Sequence, residues 1–536
     1  MRTSYWGIAL LAAASAALAF TQAASTNATN AMNATTTSTA EDSSTVLAVD
    51  DSTCVYKLSK LSCVPAAYCS YQYQFGDTTF DQSCRIVAAE VGRLPQQVHL
   101  AYAGAVAGTG MTISWTTYTQ VTDPHVWIGT SASSLTLSDA AVEVSTYYQA
   151  GKYSLYSYHA TVKNLSPFTK YFYKVGSLAL PDFQSQSSSF TTARAADTTD
   201  TFEIAIYGDF GADKNAKETL TYVTDKLASP TGKVDFIYHV GDVSYADNAF
   251  LSASEFFGFF YEETYNRWMN SLTPVMKTLP YMVLVGNHEA ECHSPSCIAS
   301  GSKKDQLGNY TAFNARFKMP SAESGGVKNM WYSFEYGPVH FTSISSETDY
   351  ATAPSNSFIG RKYGGYGDQL KWLEADLKKA DANRANVPWL VVGMHRAIYT
   401  LDKCDAQGVP IGEALPVQQG FEELFLKYNV DVVVAGHVHT YERHYPIARN
   451  KPVLDGVSAD KKTYTNAKAP VYITSGAAGN SEGHQTYKVS DIPWNVLTNI
   501  QDYGISKLRV NRTALTWSFI ATATGMQVDE FTMLKK

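Results

Sequence analysis

The sequence predicts an α/β layered domain preceded by a smaller all-β domain. β-forming segments separated by turn residues fill the region near residues 95–192, and strands alternate with helical patterns from Thr201 onward. With 536 residues, of which 45% are hydrophobic, the chain is long enough to bury more than one core. We therefore expect at least two domains.

The first 92 residues predict targeting and spacer segments. Residues 1–23 combine a weakly basic start, a short apolar stretch and small residues at the end, which is the pattern of a secretory signal peptide. Residues 24–50 are rich in Ser, Thr, Asn and Ala and predict a flexible leader, because they can bury little apolar surface. Residues 51–92 form a cysteine-containing extension. These features predict a secreted, extracellular protein, and the Asn-X-Ser/Thr sequons along the chain fit a glycoprotein.

The region 93–195 predicts an antiparallel β-sandwich. Segments such as Met111–Trp115 and Tyr171–Val175 are rich in β-formers and are separated by Gly, Ser, Pro and Thr turns. The many Tyr and Trp side chains favour core packing over a sugar-binding surface.

The region 200–536 predicts the α/β domain. Leu370, Leu373 and Leu377 line one face of a helix over Asp368–Ala380, and a second helical pattern around Phe421 precedes an apolar strand. These stripes are ordinary core faces.

Charge gives no sign of a polyanionic partner. The net charge is -7 and the sequence pI is near 6.0, so neither nucleic acid nor an anionic membrane surface is expected to bind. No segment after the signal peptide approaches the length of a membrane span. The oligomeric state stays open, with a homodimer as one possibility.

The cysteines fit an oxidising compartment. Four crowd the extension and three lie at Cys292, Cys297 and Cys404, so the odd total of seven leaves one thiol free or paired between chains. A zinc knuckle built from Cys292, His293 and Cys297 is conceivable, but a loop disulfide is favoured in a secreted protein.

Five apolar segments run directly into residues that can hold a metal ion. A short apolar run bounded by Gly predicts a buried strand, and open α/β sheets assemble their sites at the carboxyl ends of such strands. We therefore expect the residues that follow to meet on one rim. The segments are FEIAIY before Gly208-Asp209, FIYHV before Gly241-Asp242, YMVLV before Gly286-Asn287-His288, WLVVGM before His395, and VDVVVA before Gly436-His437-Val438-His439.

The donor set predicts two metal ions. Oxygen and imidazole donors without a thiolate suit zinc, iron or manganese. Six donors are too many for one catalytic ion that keeps an open position, whereas two ions bridged by a carboxylate would use them. His437 and His439 are two residues apart, so on an extended strand end they are expected to point the same way. Each element alone is typical of a turn or a structural histidine, and the coincidence of five carries the prediction. The donors are Asp209, Asp242, Asn287, His395, His437 and His439.

The five blocks resemble, in order, those of the purple acid phosphatases within the calcineurin-like metallophosphoesterases. The resemblance covers residues 200–536, and the preceding sandwich resembles the fibronectin III-like domain of the large plant and fungal members. It implies a layered metallophosphoesterase β-sandwich flanked by helices. Tyr245 is the most specific residue, because related phosphatases and nucleases lack a tyrosine there and a phenolate favours a ferric ion. The blocks are Gly208–Gly211, Gly241–Tyr245, Gly286–Glu289, Val392–His395 and Gly436–Arg443.

The resemblance implies a role for each residue. Asp209, Tyr245 and His439 would hold Fe(III), and Asn287, His395 and His437 would hold a divalent ion (Zn, Fe or Mn), with Asp242 bridging. Asn287 and His288 would bind substrate, and His288 would also act in catalysis on the phosphoryl or leaving-group oxygen. The implied enzyme is a secreted acid phosphatase that hydrolyses small phosphate monoesters.

One departure from the family leaves the general acid open. Plant members carry further histidines shortly after the block of His395, whereas residues 396–404 contain none here. Arg396, Tyr399 and His444 are the nearby candidates.

Two alternative functions remain. One is a secreted phosphodiesterase or nucleotidase of the same superfamily with two like metals. The other is a glycosylated binding protein with a degenerate metal domain, against which every expected ligand position is filled.

Overall fold

The structure is a computed structural model that describes residues 91–150, 153–229, 232, 234–252, 259–354, 361–487 and 491–536. Earlier in the chain it describes four short strands, β1 (Cys54–Tyr56), β2 (Val64–Pro65), β3 (Tyr73–Phe75) and β4 (Thr78–Phe80), which pair as β1 with β2 and β3 with β4. The predicted signal peptide (1–23), the predicted leader (24–50) and most of the cysteine-containing extension lie outside the described residues.

A β-sandwich of two four-stranded antiparallel sheets opens the well-described region. One sheet has the order β5-β6-β12-β9 and the other β14-β13-β7-β8, while β10 and β11 form a separate hairpin. Trp115 and Tyr158 are buried between the sheets and stack with ring centroids 5.3 Å apart, so the predicted role of the aromatics in the core is confirmed. The strands are β5 (Gln96–Ala103), β6 (Gly110–Thr117), β7 (Pro124–Ser131), β8 (Ser134–Leu137), β9 (Val142–Ser145), β10 (Gln149–Ala150), β11 (Tyr153–Ser154), β12 (Tyr156–Lys163), β13 (Lys170–Ser177) and β14 (Ser188–Thr191).

The remainder of the chain forms two larger sheets. One has the order β19-β17-β15-β29-β30-β31-β26, and the other has the order β20-β21-β22-β23-β27-β24-β25 with β28 paired to β24. The short strands β16 and β18 pair in parallel beside the first sheet. The strands are β15 (Phe202–Tyr207), β16 (Phe210–Gly211), β17 (Val234–His239), β18 (Val243–Ser244), β19 (Tyr281–Val283), β20 (Tyr332–Tyr336), β21 (Val339–Ser343), β22 (Trp389–Gly393), β23 (Val432–Ala435), β24 (Tyr441–Ala448), β25 (Lys451–Pro452), β26 (Thr463–Thr465), β27 (Val471–Ser475), β28 (Asn495–Asn499), β29 (Gly504–Val510), β30 (Ala514–Ala521) and β31 (Met526–Leu534).

Contacts between the two larger sheets form the main core. Phe236 on β17 packs edge-on against Phe341 on β21 with ring centroids 5.6 Å apart. The hydroxyl of Tyr238 shares a 2.7 Å hydrogen bond with that of Ser343. These side chains are fully buried, and burying each large aromatic stabilises the fold by roughly 2–3 kcal/mol. The predicted α/β layered fold is confirmed.

The five predicted strands exist, but they do not belong to one sheet. β15, β17 and β19 run parallel in the first sheet, whereas β22 and β23 run parallel in the second. The expected rim is therefore the edge at which the carboxyl ends of strands from two sheets meet, in agreement with the layered β-sandwich that the resemblance implied. An apolar run identifies a buried strand but carries no information about its pairing partner.

Helices cover the outer faces of the sheets. The helix at residues 369–382 begins after Asp368, whose side chain accepts a hydrogen bond from the backbone of Lys371, and it buries Leu373 and Leu377 as predicted. The helix that carries Phe421 also forms and buries that side chain. None of the helices in the described part of the chain combines the length and apolar composition needed to cross a membrane. The α-helices are Lys217–Tyr222, Tyr261–Met276, Pro295–Ile298, Gly301–Leu307, Thr311–Arg316, Ser321–Ser324, Gln369–Ala382 and Ala414–Lys427.

A buried polar network joins the β-sandwich to the α/β region. Arg316, which is fully buried, pairs with Glu262 at 3.0 Å between Nη2 and Oε2. The phenol of Tyr147 donates to the same carboxylate at 2.7 Å. The side chain of Gln97 accepts a hydrogen bond from Arg316 and donates one to Asn266. Tyr147 and Gln97 come from the sandwich, so residues of both regions satisfy one buried ion pair.

The ion pair of His340 and Asp376 predicts a loss of stability in alkaline solution. Burial alone would lower the pKa of His340, but Asp376, 3.1 Å from Nε2, and Glu335 together outweigh burial and raise the pKa to about 9. A folded-state pKa above the unfolded value stabilises the protein fully below about pH 6.5, and this contribution is lost as pH rises through about 9. Urea unfolding should show a decline of at most about 3 kcal/mol across that window.

The variant His340→Asn removes the titrating group and should flatten this decline. Both proteins share the other titrating groups, so the comparison isolates His340. Parallel stability curves for the two proteins over the window would contradict the assignment.

Candidate metal centre

Three side chains of the predicted donor set converge from both sheets. Asp242, His395 and His437 place one ligand atom each within 4.8 Å of one another. Nε2 of His395 lies 2.8 Å from Oδ2 of Asp242, and both residues are buried. A carboxylate and two imidazoles at this separation match the donors that zinc, iron and manganese accept.

A second group of donors lies beside the first. The phenol oxygen of Tyr245 is 3.1 Å from Oδ1 of Asp209 and 3.0 Å from Nε2 of His439. Nε2 of His439 is in turn 3.4 Å from Oδ1 of Asp209. The backbone N–H of His437 donates to both oxygens of Asp209, at 3.1 and 2.9 Å, which ties the second group to the first.

Asn287 completes the predicted set from the loop after β19. It begins a short 3-10 turn, Asn287–Glu289, and the following N–H, that of His288, donates to Oδ1 of Asp242 at 2.9 Å. The structure therefore brings six of the seven predicted donors into contact with one another and places Asn287 beside Asp242 through the neighbouring residue His288.

Several donors sit in a left-handed backbone conformation. φ is +63° at Asp209, +56° at Asp242, +53° at Tyr245 and +69° at His437. Non-glycine residues rarely adopt such values, and they cluster where surrounding structure holds a functional geometry in place. The expectation that His437 and His439 lie on an extended strand end was wrong, because the chain bends at His437 directly after β23 ends.

The glycines before the donors make room for them. A Cβ atom on Gly286 would lie 2.2 Å from Oδ1 of Asp242, and one on Gly436 would lie 2.4 Å from Oδ2 of Asp209. Any larger residue would displace the carboxylate. These two glycines are therefore needed for close approach rather than for a turn alone.

Unpaired buried atoms indicate that a cation fits here. Oδ1 of Asn287 is buried and has no hydrogen-bond partner among the described residues. Oδ2 of Asp242 and Nε2 of His395 face each other at 2.8 Å, but not in the geometry of a hydrogen bond. Leaving such a group unpaired costs about 1–3 kcal/mol. A bound cation would satisfy these atoms together, since each can offer a lone pair.

The electrostatics of the ion-free protein point the same way. Burial opposes a charge on His395, but Asp242 outweighs burial and raises the pKa of the imidazole to about 10. Burial, then the charge of Asp209, holds the pKa of Tyr245 well above its ordinary value. A proton from each must leave before the nitrogen or the phenolate can bind a metal, so binding is coupled to proton release.

Backbone carbonyls orient two of the histidines. Nδ1 of His395 lies 2.9 Å from the carbonyl oxygen of Val240, and Nδ1 of His439 lies 2.9 Å from that of Gly483. Both rings thereby turn Nε2 toward the site. Such partners fix the tautomer and direction of a ligand ring.

Glu289 holds the loops that carry the donors. Its carboxylate accepts from the backbone N–H groups of Asp242 at 3.0 Å, Val243 at 2.8 Å and Gly286 at 2.7 Å. The sequence analysis missed this role, although Glu289 stands two residues after Asn287 within the block Gly286–Glu289. Only the fold shows that the loops meet at this side chain.

His288 lies at the edge of the donor group. Its Nδ1 is 2.8 Å from Oδ2 of Asp247, and its Nε2 is 3.8 Å from Oδ2 of Asp242 and 3.6 Å from Oε1 of Glu482. Burial opposes protonation, but Asp247, Asp242 and Glu482 together outweigh it and hold the pKa of His288 well above its ordinary value. These carboxylates therefore favour the protonated form of the ring. Sequence analysis missed Asp247 and Glu482.

The three candidates for a general acid occupy different surroundings. The phenol of Tyr399 donates to Glu422 at 2.6 Å, and Nε2 of His444 lies 3.1 Å from the carbonyl oxygen of Tyr399, with both side chains buried in the core. Arg396 alone of the three contacts a predicted donor, with Nη1 3.0 Å from Nε2 of His437.

The predicted loop disulfide is present. Cys292 and Cys297 are bonded and close the loop that follows His288, so the zinc knuckle is excluded. Cys404 is a free, partly buried cysteine.

Comparison with known proteins defines the class of this site. Residues 202–441 match the model of the calcineurin-like phosphoesterases, which are the class of protein that this fold and donor set define. Residues 95–192 match the purple acid phosphatase N-terminal domain, and residues 469–530 match the iron/zinc purple acid phosphatase-like protein C region.

Similar proteins assign the chain to one family within the calcineurin-like phosphoesterases. The acid phosphatase of Aspergillus ficuum is 30% identical over 71% of this chain and 76% of its own length, and acid phosphatase type 7 of Homo sapiens is 31% identical over 78% and 85%. The solved purple acid phosphatase from yellow lupin (Lupinus luteus) seeds shares the fold, with a TM-score of 0.65 and 20% identity over 83% of this chain and 75% of that chain. The chain belongs to the purple acid phosphatase family and is a phosphoesterase.

Replacing Glu289 should destabilise the site and the fold together. Glu289→Ala leaves three buried N–H groups without an acceptor, and each costs about 1–3 kcal/mol. We expect a loss of several kcal/mol in urea unfolding and a fall in bound metal, measured by elemental analysis. Glu289→Gln retains one carbonyl oxygen and should lose less. Glu218→Ala, which changes an exposed residue, is the control. A Glu289→Ala variant as stable as this control would show that Glu289 does not hold the loops together.

Proposed function

We propose that this protein is a secreted acid phosphatase that hydrolyses phosphate monoesters at a dinuclear Fe(III)–M(II) centre. The observation that carries the proposal is the grouping of the seven predicted donors, all of them buried or half-buried. Three of their ligand atoms have no hydrogen-bond partner among the described residues. Family membership supports the reaction class, and the names of the relatives support acid phosphatase activity.

The two groups of donors suggest which ion binds where. Asp209, Tyr245 and His439 contact one another and would hold Fe(III), because a buried phenol loses its proton only to a strongly charged cation. Asn287, His395 and His437 would hold the divalent ion, which is Zn, Fe or Mn. Asp242 would bridge the two ions, since its Oδ2 faces His395 and lacks a hydrogen bond.

Substrate would meet His288 and Asn287 at the edge of this centre. When bound, two such ions supply a hydroxide nucleophile and neutralise phosphate oxygens. Asp247 fixes the imidazole of His288 through Nδ1, which leaves Nε2 to donate to a phosphoryl or leaving-group oxygen. The amide of Asn287 would contact the same phosphate.

A protonated His288 would favour small dianionic esters. A monoester phosphate carries more charge than a diester, so it gains more from a positive side chain held in a buried position. Secretion rests on the predicted signal peptide at residues 1–23, and the homodimer stays a prediction.

Metal analysis with a visible spectrum tests the centre. We expect about two ions per chain, one of them iron, together with a visible absorption band from tyrosinate bound to Fe(III). Tyr245→Phe should lose the band. An aryl monoester should be hydrolysed fastest in acidic solution and an aryl diester slowly. Two like divalent metals, no band and preferred diester cleavage would instead support the phosphodiesterase, and less than one ion per chain would support a binding protein.

Removal of the His288 imidazole should impair catalysis without loss of metal. We expect His288→Ala to lower kcat by roughly 100-fold, which is the range of a positioned acid or base, while the visible band and the metal content stay at wild-type values. The matched control is His125→Ala, which removes a half-buried histidine of the sandwich. Loss of the divalent ion in His288→Ala would show that this side chain is structural.

A further inference from the structure

His437 differs from the other two histidine donors in what lies behind it. His395 and His439 rest against neutral carbonyl oxygens through Nδ1. In His437 it is Nε2 that has outer contacts, at 3.1 Å from Oε1 of Glu413 and 3.0 Å from Nη1 of Arg396. The nitrogen of His437 that remains free to bind an ion is therefore Nδ1, whereas in His395 and His439 it is Nε2.

When a metal ion is bound, Glu413 is the group that can accept the hydrogen bond from Nε2 of His437. An imidazole that binds a cation through Nδ1 carries its hydrogen on Nε2 and can only donate there. A guanidinium has donors and no acceptor, so Arg396 cannot receive that hydrogen. Glu413 is the acceptor within reach.

The carboxylate of Glu413 is itself held in place. Nη1 of Arg396 lies 2.5 Å from Oε2 of Glu413, while Nε of Arg396 lies 2.8 and 3.0 Å from the two oxygens of Glu347. Glu347 is buried, and the backbone N–H of Arg396 donates to Ser346 at 2.8 Å. A chain of contacts thus runs from the core through Glu347 and Arg396 to Glu413 and His437.

We propose that Glu413 is a positioning residue that fixes the His437 ring and strengthens it as a donor to the divalent ion, with Arg396 setting the carboxylate. A carboxylate behind a ligand histidine raises its basicity, and loss of such a partner typically costs 10–100-fold in metal affinity. At the ferric position, Nδ1 of His439 faces a neutral carbonyl oxygen, that of Gly483. Glu413 therefore acts on one position of the centre. This inference rests on the proposed dinuclear centre.

Glu413→Gln tests the role with little change in side-chain volume. Protein that retains its iron is stripped of the divalent ion and titrated with Zn²⁺ by equilibrium dialysis. We expect the Zn²⁺ dissociation constant to rise by about 10–100-fold, while the tyrosinate band and the thermal midpoint of the zinc-free protein stay unchanged. Glu423→Gln is the matched control, because Glu423 lies on the helix that begins directly after Glu413 and pairs with Arg449 at the surface.

The outcomes separate the two proposals. Wild-type affinity for Zn²⁺ in Glu413→Gln would overturn the positioning role. A loss of the visible band or of the thermal midpoint in the same variant would also overturn it, since either would show a general structural effect. Wild-type protein that binds no second ion would instead overturn the dinuclear centre.

Discussion

The buried carboxylate of Asp242 is the group on which the rest of the site depends. Burial disfavours its charge, yet His395, His288 and His437 together hold its pKa below the ordinary value. A charge held away from water must be compensated, and one oxygen of this carboxylate has no hydrogen bond. The surrounding fold follows from that requirement: Glu289 anchors the backbone on which the charge sits, Gly286 leaves space for it, and imidazoles approach from the opposite sheet.

Much of the fold and the donor set could be predicted because the signals are local. An apolar run before Gly and a donor marks the carboxyl end of a buried strand wherever it occurs, and all five such runs form strands. Asp368 caps its helix through its own side chain, and the bond between Cys292 and Cys297 spans one short loop. Such features need no knowledge of distant residues. Six of the donors came from the same local pattern, and Tyr245 came from the family resemblance.

The rest depends on contacts between segments far apart in the chain. Division of the strands between two sheets is set by pairing, which an apolar pattern does not encode. Asp247 and Glu413 look like ordinary surface acids in the sequence, and only folding brings one to His288 and the other to His437. The left-handed turn at His437 was equally hidden, because the residue is neither Gly nor Asn and its conformation is imposed by the site.

Arg316 and Glu262 give the β-sandwich a role beyond that of an appended module. Their ion pair is completed by Tyr147 and Gln97, which the sandwich supplies. A fragment that lacked the sandwich would lose Tyr147 and Gln97 and leave the pair with unsatisfied buried polar atoms. A chimaera that exchanged one of the two regions would therefore need matching residues at this contact.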